Sequence, residues 1–395
     1  MTSRKQRFLA AMARCKTPFG ADTNDSDYVE PPITEAARRI VARAEIDPGA
    51  VQFLVGGMGY GKTTQLRRAC RELAKTGETV SEYVDIAEHH DLHKLSVGVV
   101  TAAVALALVK RLQQSDAPKQ KASIEAIQGW ANGRWIDPAD EYDPGDPDHF
   151  DPAEDALYWE KGVLVPPDAN VVATPIDLPL AFVAKSLANP VVCVDGLDRV
   201  QNQRALEQVL ANDIASLRAA GVGLVVACAA WQRFGAARAA FDAESGLLSL
   251  AAWAPSIATH RAFLSACVRR RVDSELLPDD VLDALVVRSG GVLRDLFLLT
   301  AALIEESYLR GDTTLTEKAL DGASERMGHR LLAGLSLERI KRLRDIARAN
   351  GADVADSEVL ELLAGGQLIY RADSGTMFVV HPTIVPLVAR RASAA

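Results

Sequence analysis

The sequence predicts an α/β protein: a parallel sheet covered by helices, then an all-helical section, then a small C-terminal module of helices and two short strands. Three observations carry this. Gly56-Gly57-Met58-Gly59-Tyr60-Gly61-Lys62-Thr63 fits G-x-x-x-x-G-K-[ST], between a run at 51–55 that reads as a buried strand and a helical pattern at 65–73. Strand-like runs alternate with helical periodicity up to about residue 255, the order of a parallel sheet with both faces covered. Beyond residue 256 strand signals stop, and they return only as a pair at 368–371 and 377–380.

The elements follow in order. The N-terminal stretch, MTSRKQRFLAAMARCK, has an apolar part too short for a secretory signal and reads as a short amphipathic helix. A helix at 31–45 leads into the strand at 51–55. After the glycine-rich loop and its helix, residues 80–86 alternate as a second strand. The run at 95–109 holds no charge, but at 15 residues it falls short of the roughly 20 that span a bilayer. A buried helix is the expectation there, with a membrane-associated hairpin as the alternative. Residues 114–168 form an insert rich in Asp, Pro, Gly and Trp. Helix returns at 178–187, strand at 191–194, helix at 201–218, and strands at 222–227 and 247–253. Helices fit 257–271, 278–288, 291–310 and 315–327. The end reads helix, helix, two strands joined by a turn at 372–376, and helix.

The chain has 395 residues, enough for two or three domains, and 24% charged residues. Its net charge of −8 is local, because residues 137–156 hold nine acidic side chains and no Lys or Arg, leaving the rest one charge positive. No basic surplus of the kind general nucleic-acid binders carry is present. The D-x-D spacings in the acidic stretch lack the order of a Ca²⁺ loop, and the prolines favour a solvated segment. The five cysteines are scattered without metal spacing, as reduced thiols in a cytoplasmic protein would be.

The glycine-rich loop lets successive backbone N–H groups converge on one anion, and the helix that follows adds its positive end. Gly56, Gly57, Met58, Gly59, Tyr60, Gly61, Lys62, Thr63 and Thr64 are therefore the expected nucleotide-binding set. Lys62 would reach the β- and γ-phosphates, and the Thr63 hydroxyl would hold Mg²⁺. The strand at 191–194 ends in Asp195-Gly196-Leu197-Asp198-Arg199. Asp195 is the expected second Mg²⁺ residue, through water. Asp198 is placed either to orient an attacking water or to cap a helix. Arg199 would pair with Asp198 or reach a neighbouring subunit.

Residues 52–64, 191–199 and 289–298 together resemble the AAA+ ATPases and their signalling relatives, the STAND ATPases. The resemblance implies a P-loop NTPase sheet of the additional-strand class, an α-helical lid domain and a C-terminal winged helix, with ATP and Mg²⁺ as cofactors. Its divisions fall at 1–48 (helical lead-in), 49–255 (ATPase core), 256–330 (lid) and 331–395 (winged helix). By resemblance Arg294, at the start of a lid helix, contacts the γ-phosphate, while His381 is structural. Three departures stand out, the first being the long insert at 114–168. Gly196 replaces the glutamate that many relatives carry after the Mg²⁺ aspartate. The strand ending at Cys228 lacks a polar γ-phosphate sensor, for which Cys228 and Gln232 are poor candidates. Slow turnover is expected. A trans-acting arginine finger, from Arg233, Arg238 or Arg199, would require a homo-oligomer.

The leading functional expectation is an ATP-hydrolysing switch that assembles a signalling or defence complex with a separately encoded protein partner. The alternative is an origin-recognition-like initiator or loader bound to DNA. The helix at 356–363 carries Asp356, Glu358 and Glu361 where a major-groove reader needs Arg or Lys, so a protein-binding winged helix is preferred. A small-molecule kinase fits the lid and winged helix badly.

Overall fold

The computed structural model describes residues 3–15, 28–32, 35–114, 121–131, 158–160, 163–165, 177–235, 238, 241, 246–353, 355–371 and 377–390. The acidic stretch at 137–156 and the turn at 372–376 lie outside them.

In chain order the first elements are α1 (Arg4–Cys15), α2 (Glu35–Ile46), β1 (Val51–Gly56), α3 (Lys62–Thr76), β2 (Ser81–Asp85) and a single helical turn α4 (Ile86–His89). Next come α5 (Val99–Gln113), α6 (Lys121–Ala131), a hairpin of β3 (Tyr158–Glu160) and β4 (Val163–Val165), and α7 (Asp177–Ser186). Then follow β5 (Val191–Asp195), a 3₁₀ turn at Leu197–Arg199, α8 (Gln203–Ala219), β6 (Gly223–Ala229), α9 (Ala230–Phe234) and β7 (Gly246–Leu250).

Five of these strands form a parallel sheet in the order β2-β5-β6-β1-β7. The additional strand β6 thus separates β1, which enters the glycine-rich loop, from β5, which ends in Asp195. The three central strands are buried along their whole length, as their largely apolar runs predict; the exception within β1, Gln52, donates its amide to the Ile40 carbonyl at 3.2 Å. Alternate residues serve opposite faces. Leu54, Cys193, Val225 and Ala227 pack against Ile40 of α2 and Leu66, Ala69 and Leu73 of α3. Phe53, Val55, Val194 and Val226 join the other core, with Val104 and Leu108 of α5 and Leu206 and Val209 of α8.

The uncharged run at 95–109 is largely this buried helix α5, and no described helix is long and apolar enough to cross a membrane. Its N-terminus begins against Asp213 of α8, whose buried carboxylate accepts from the N–H groups of Gly98, Val100 and Thr101 at 2.7, 2.9 and 3.1 Å. Three of the helix's orphan donors are thereby satisfied from a different helix. The insert expected from residue 114 begins with structure: α6 buries Ile124, Ile127 and Trp130 in the same core as α5 and α7.

The helical section comprises α10 (Ala258–Arg269), α11 (Asp279–Arg288), α12 (Leu293–Leu309) and α13 (Glu317–Leu332) around a separate core. Phe8, Ala11 and Cys15 of α1 are buried in that core. Arg4 fixes α1 there by donating to the carbonyls of Asp312 (2.7 Å) and Tyr308 (2.8 Å) at the end of α12. The C-terminal module runs α14 (Leu337–Arg348), α15 (Ser357–Ala364), the antiparallel pair β8 (Leu368–Tyr370) and β9 (Phe378–Val380), and α16 (Val385–Arg390). Its Phe378 meets Phe234 of α9 with ring centroids 5.7 Å apart, so it packs on the end of the sheet that carries the glycine-rich loop.

Candidate nucleotide site

β1 delivers the chain into a loop that α3 closes, and Gly59 (φ 83°) and Gly61 (φ 92°) take the left-handed conformations the reversal requires. Lys62, the first residue of α3, is 4% exposed and folds its side chain back over the loop. Its ammonium donates to the carbonyls of Gly56 (3.0 Å) and Gly57 (2.9 Å) and lies 2.9 Å from Asp198 Oδ2. The Thr63 hydroxyl donates to Asp195 Oδ2 at 2.6 Å. In the sheet β1 and β5 are separated only by β6, so the start of α3 and the end of β5 come within hydrogen-bonding reach. Lys62, Thr63, Asp195 and Asp198 are thereby brought together as the sequence expected.

Asp195 is almost fully buried, and both its oxygens are held. Oδ1 accepts from the N–H of Gly196 at 2.8 Å, and Oδ2 accepts a second hydroxyl, that of Tyr83 on β2, at 2.8 Å. Burial first, and then the neighbouring Asp195 carboxylate, push the Tyr83 phenol well above its ordinary range, so it acts here as a donor. Thr63 and Asp195 together present hard oxygen atoms facing each other, a donor set suited to Mg²⁺. Asp198 lies on the 3₁₀ turn after β5, which returns Arg199 towards Asp85 with 3.7 Å between guanidinium and carboxylate.

The helical section and the C-terminal module both reach the loop. The N–H of Arg294, at the start of α12, faces the Gly59 carbonyl at 3.4 Å, and its guanidinium lies on the Met58 sulfur. A Cβ at Gly59 would lie 2.3 Å from Arg294 Cβ, so the close approach depends on glycine there. Tyr60 turns inward, its ring under Gly57 and only 7% exposed. Its hydroxyl accepts the N–H of Tyr370 in β8 at 2.9 Å. Tyr370 also accepts, through its carbonyl, from the N–H of Ala252 at 3.1 Å. One residue past Arg294, Asp295 lies 3.4 Å from the fully buried His381, whose Nδ1 contacts the Thr383 hydroxyl at 2.8 Å.

At the end of β6, Cys228 is fully buried, and burial, ahead of the Asp198 charge, raises its thiol far above the ordinary range. Gln232 is also fully buried, its amide spent on backbone groups. Of the other arginines, Arg233 donates to the Ser249 hydroxyl at 2.8 Å and Arg238 is exposed.

Tyr83 and Tyr370 are not legible as site residues in the sequence, and Gln232 is legible there only as a poor candidate for a γ-phosphate sensor. Tyr83 meets a carboxylate 112 positions away and Tyr60 an amide 310 positions away, pairings that only the sheet order and module docking create. The strand assignment of 80–86 beside a loop-bearing sheet was the single available hint for Tyr83.

No family model matches the chain, and no curated protein matches it. Among solved structures, a Walker-type ATPase of Pyrococcus abyssi superposes with a TM-score of 0.50 at 13% identity, over 93% of this chain and 100% of that one. The Orc1 protein of Aeropyrum pernix, in complex with DNA, gives 0.45 at 13% identity over 97% and 98%. The Thermotoga maritima RuvB Holliday junction branch migration motor gives 0.40 at 12% over 92% and 99%. The first likeness is one of fold alone; the other two are more distant.

Proposed function

We propose that this chain binds and hydrolyses ATP as a switch, in which the nucleotide site controls the posture of the helical section and the C-terminal module. The observation that carries the reading is the double contact on one loop: Gly59 meets Arg294 of the helical section, and Tyr60 meets Tyr370 of the C-terminal hairpin. An anion seated among the loop N–H groups displaces atoms that both modules touch.

In this reading the loop backbone and the α3 N-terminus receive the phosphates. Lys62 exchanges Asp198 and the two loop carbonyls for β- and γ-phosphate oxygens. Asp198, released from that ion pair, orients the attacking water and accepts its proton. Thr63 and Asp195 would hold Mg²⁺, which supplies neutralisation of charge on the β- and γ-oxygens. Arg294 moves from the Met58 sulfur to the γ-phosphate and draws α12 with it. Tyr83 keeps Asp195 oriented throughout. Arg199, Arg233 and Arg238 are the candidates for a finger supplied across a homo-oligomer. The expected signalling or defence assembly and its separately encoded effector find no support in the comparisons.

A second reading, a DNA-bound initiator with a C-terminal winged helix, is favoured by α14, which carries Arg339, Lys341, Arg342, Arg344 and Arg348. Its charge is partly answered within the module: Arg339 pairs with Glu361, and Arg342 lies 2.6 Å from Asp356 and 4.0 Å from Glu358. That internal pairing favours the switch without DNA.

The test is equilibrium ATP binding and steady-state hydrolysis for wild type, Lys62→Ala and Asp198→Asn. Lys62→Ala should lose binding. Asp198→Asn should bind ATP yet turn over about 10²-fold more slowly or worse. Wild type that binds ATP without hydrolysing it overturns the hydrolytic part. Salt-sensitive, submicromolar duplex DNA binding would favour the second reading.

A further inference from the structure

Gln232 is the third residue of α9, the short helix that follows β6, is 0% exposed, and has every polar atom of its amide engaged with backbone. Oε1 accepts the N–H of Ala229, the last residue of β6, at 2.7 Å. Nε2 donates to the carbonyl of Leu197 at 2.9 Å and to that of Val200 at 3.1 Å. Those carbonyls bracket the 3₁₀ turn Leu197–Arg199, whose own backbone bonds are Arg199 N–H to Gly196 and Val200 N–H to Leu197. Asp198 sits at the middle of the bracket, its carboxylate 2.9 Å from the Lys62 ammonium.

We propose that Gln232 is a positioning residue for Asp198: it clasps the turn to the end of β6 and so sets where the Asp198 carboxylate stands relative to Lys62. The inference rests on the reading of Asp198 as the water-orienting residue. A turn of three residues has little structure of its own to fix a side chain. The two carbonyls flanking Asp198 are tied instead to one rigid amide, itself tied to a central strand. Nothing else among the hydrogen bonds of the described residues joins this turn to β6. A primary amide is the side chain suited to the place, because it alone offers one acceptor and two N–H donors from a planar head of this size. A carboxylate at 232 would face two carbonyl oxygens without a proton to give. A thioether would keep the volume and lose all three bonds. Displacement of a catalytic carboxylate by an ångström is enough to cost about 10²-fold in rate while leaving substrate affinity intact.

The experiment compares wild type, Gln232→Met, Asp198→Asn and the double variant by ATP dissociation constant, kcat and thermal unfolding, with Gln232→Asn, a neutral amide too short to span the same three groups, replacing the methionine variant and held to the same outcomes should that one fail to fold. The expected result is a fall in kcat of about tenfold or more for Gln232→Met with the dissociation constant within about twofold of wild type. In the Asp198→Asn background the same substitution should cost nothing further, since its effect passes through Asp198. Wild-type kcat in a folded Gln232→Met protein overturns the clasp and leaves the Asp198 reading standing. A loss that multiplies undiminished in the Asp198→Asn background also overturns it. Wild-type kcat in Asp198→Asn overturns the reading beneath it and the clasp together.

Discussion

Gly196 follows the buried Asp195 with φ 94°, and a Cβ there would lie 2.6 Å from Asp85 Oδ1. Asp85 cannot easily withdraw, because its Oδ1 accepts from the Ala87 N–H at 3.0 Å and starts α4. The missing glutamate at this position is therefore a matter of space and backbone: the chain turns left-handed where other proteins of the resembled group carry a side chain. Gly196→Ala should lower stability by about 1–3 kcal/mol, read as a drop in unfolding free energy in denaturant. Unchanged stability would mean that the turn can relax. At this scale the sequence was informative wherever chemistry depends on neighbours along the chain. Lys62, Thr63 and Asp195 follow from spacing. Tyr83 and Gln232 do not, because Tyr83 meets a carboxylate at the end of another strand and Gln232 meets two carbonyls of a turn more than 30 residues earlier.

Among the elements, α5 owes its N-terminal anchorage to a carboxylate from α8. Burial, outweighing the three N–H bonds that favour the charge, raises Asp213 to about 6. A carboxyl raised in the folded state takes up its proton before the unfolded chain does. The cost of its buried charge is fully present above pH 6 and is relieved as pH falls towards the unfolded value near 4. Stability of wild type relative to Asp213→Asn should therefore rise by about 1 kcal/mol between pH 7.5 and pH 5. Denaturant unfolding of both proteins at the two pH values measures it, and a gap independent of pH contradicts it. The asparagine variant should also be the less stable of the two, because its amide group confronts backbone donors. Element positions were legible wherever apolar runs were long. β1, β5, β6 and the helices at 258–309 lie within a few residues of expectation. α6 was obscured by the charged and proline-rich stretch beyond it, although Ile124, Ile127 and Trp130 carry a helical spacing.

At the level of the whole molecule, the glycine-rich loop is a meeting point. Gly59 contacts the helical section, Tyr60 the C-terminal hairpin, and Lys62 and Thr63 the carboxylates at the end of β5. The glycine-rich loop between strand and helix, and with it the proposal of a phosphate site, was readable from the sequence. Its attachment to a hairpin 310 residues away was not, since no local pattern marks Tyr60 as a hydrogen-bond acceptor for Tyr370. Hydrogen exchange of the amides in 368–370 and 378–380, with and without ATP, tests this coupling most directly. ATP should change exchange there in wild type. It should change nothing in Lys62→Ala, and little in Tyr60→Phe although that variant still binds ATP. Hairpin exchange that stays the same in wild-type protein saturated with ATP would contradict the switch.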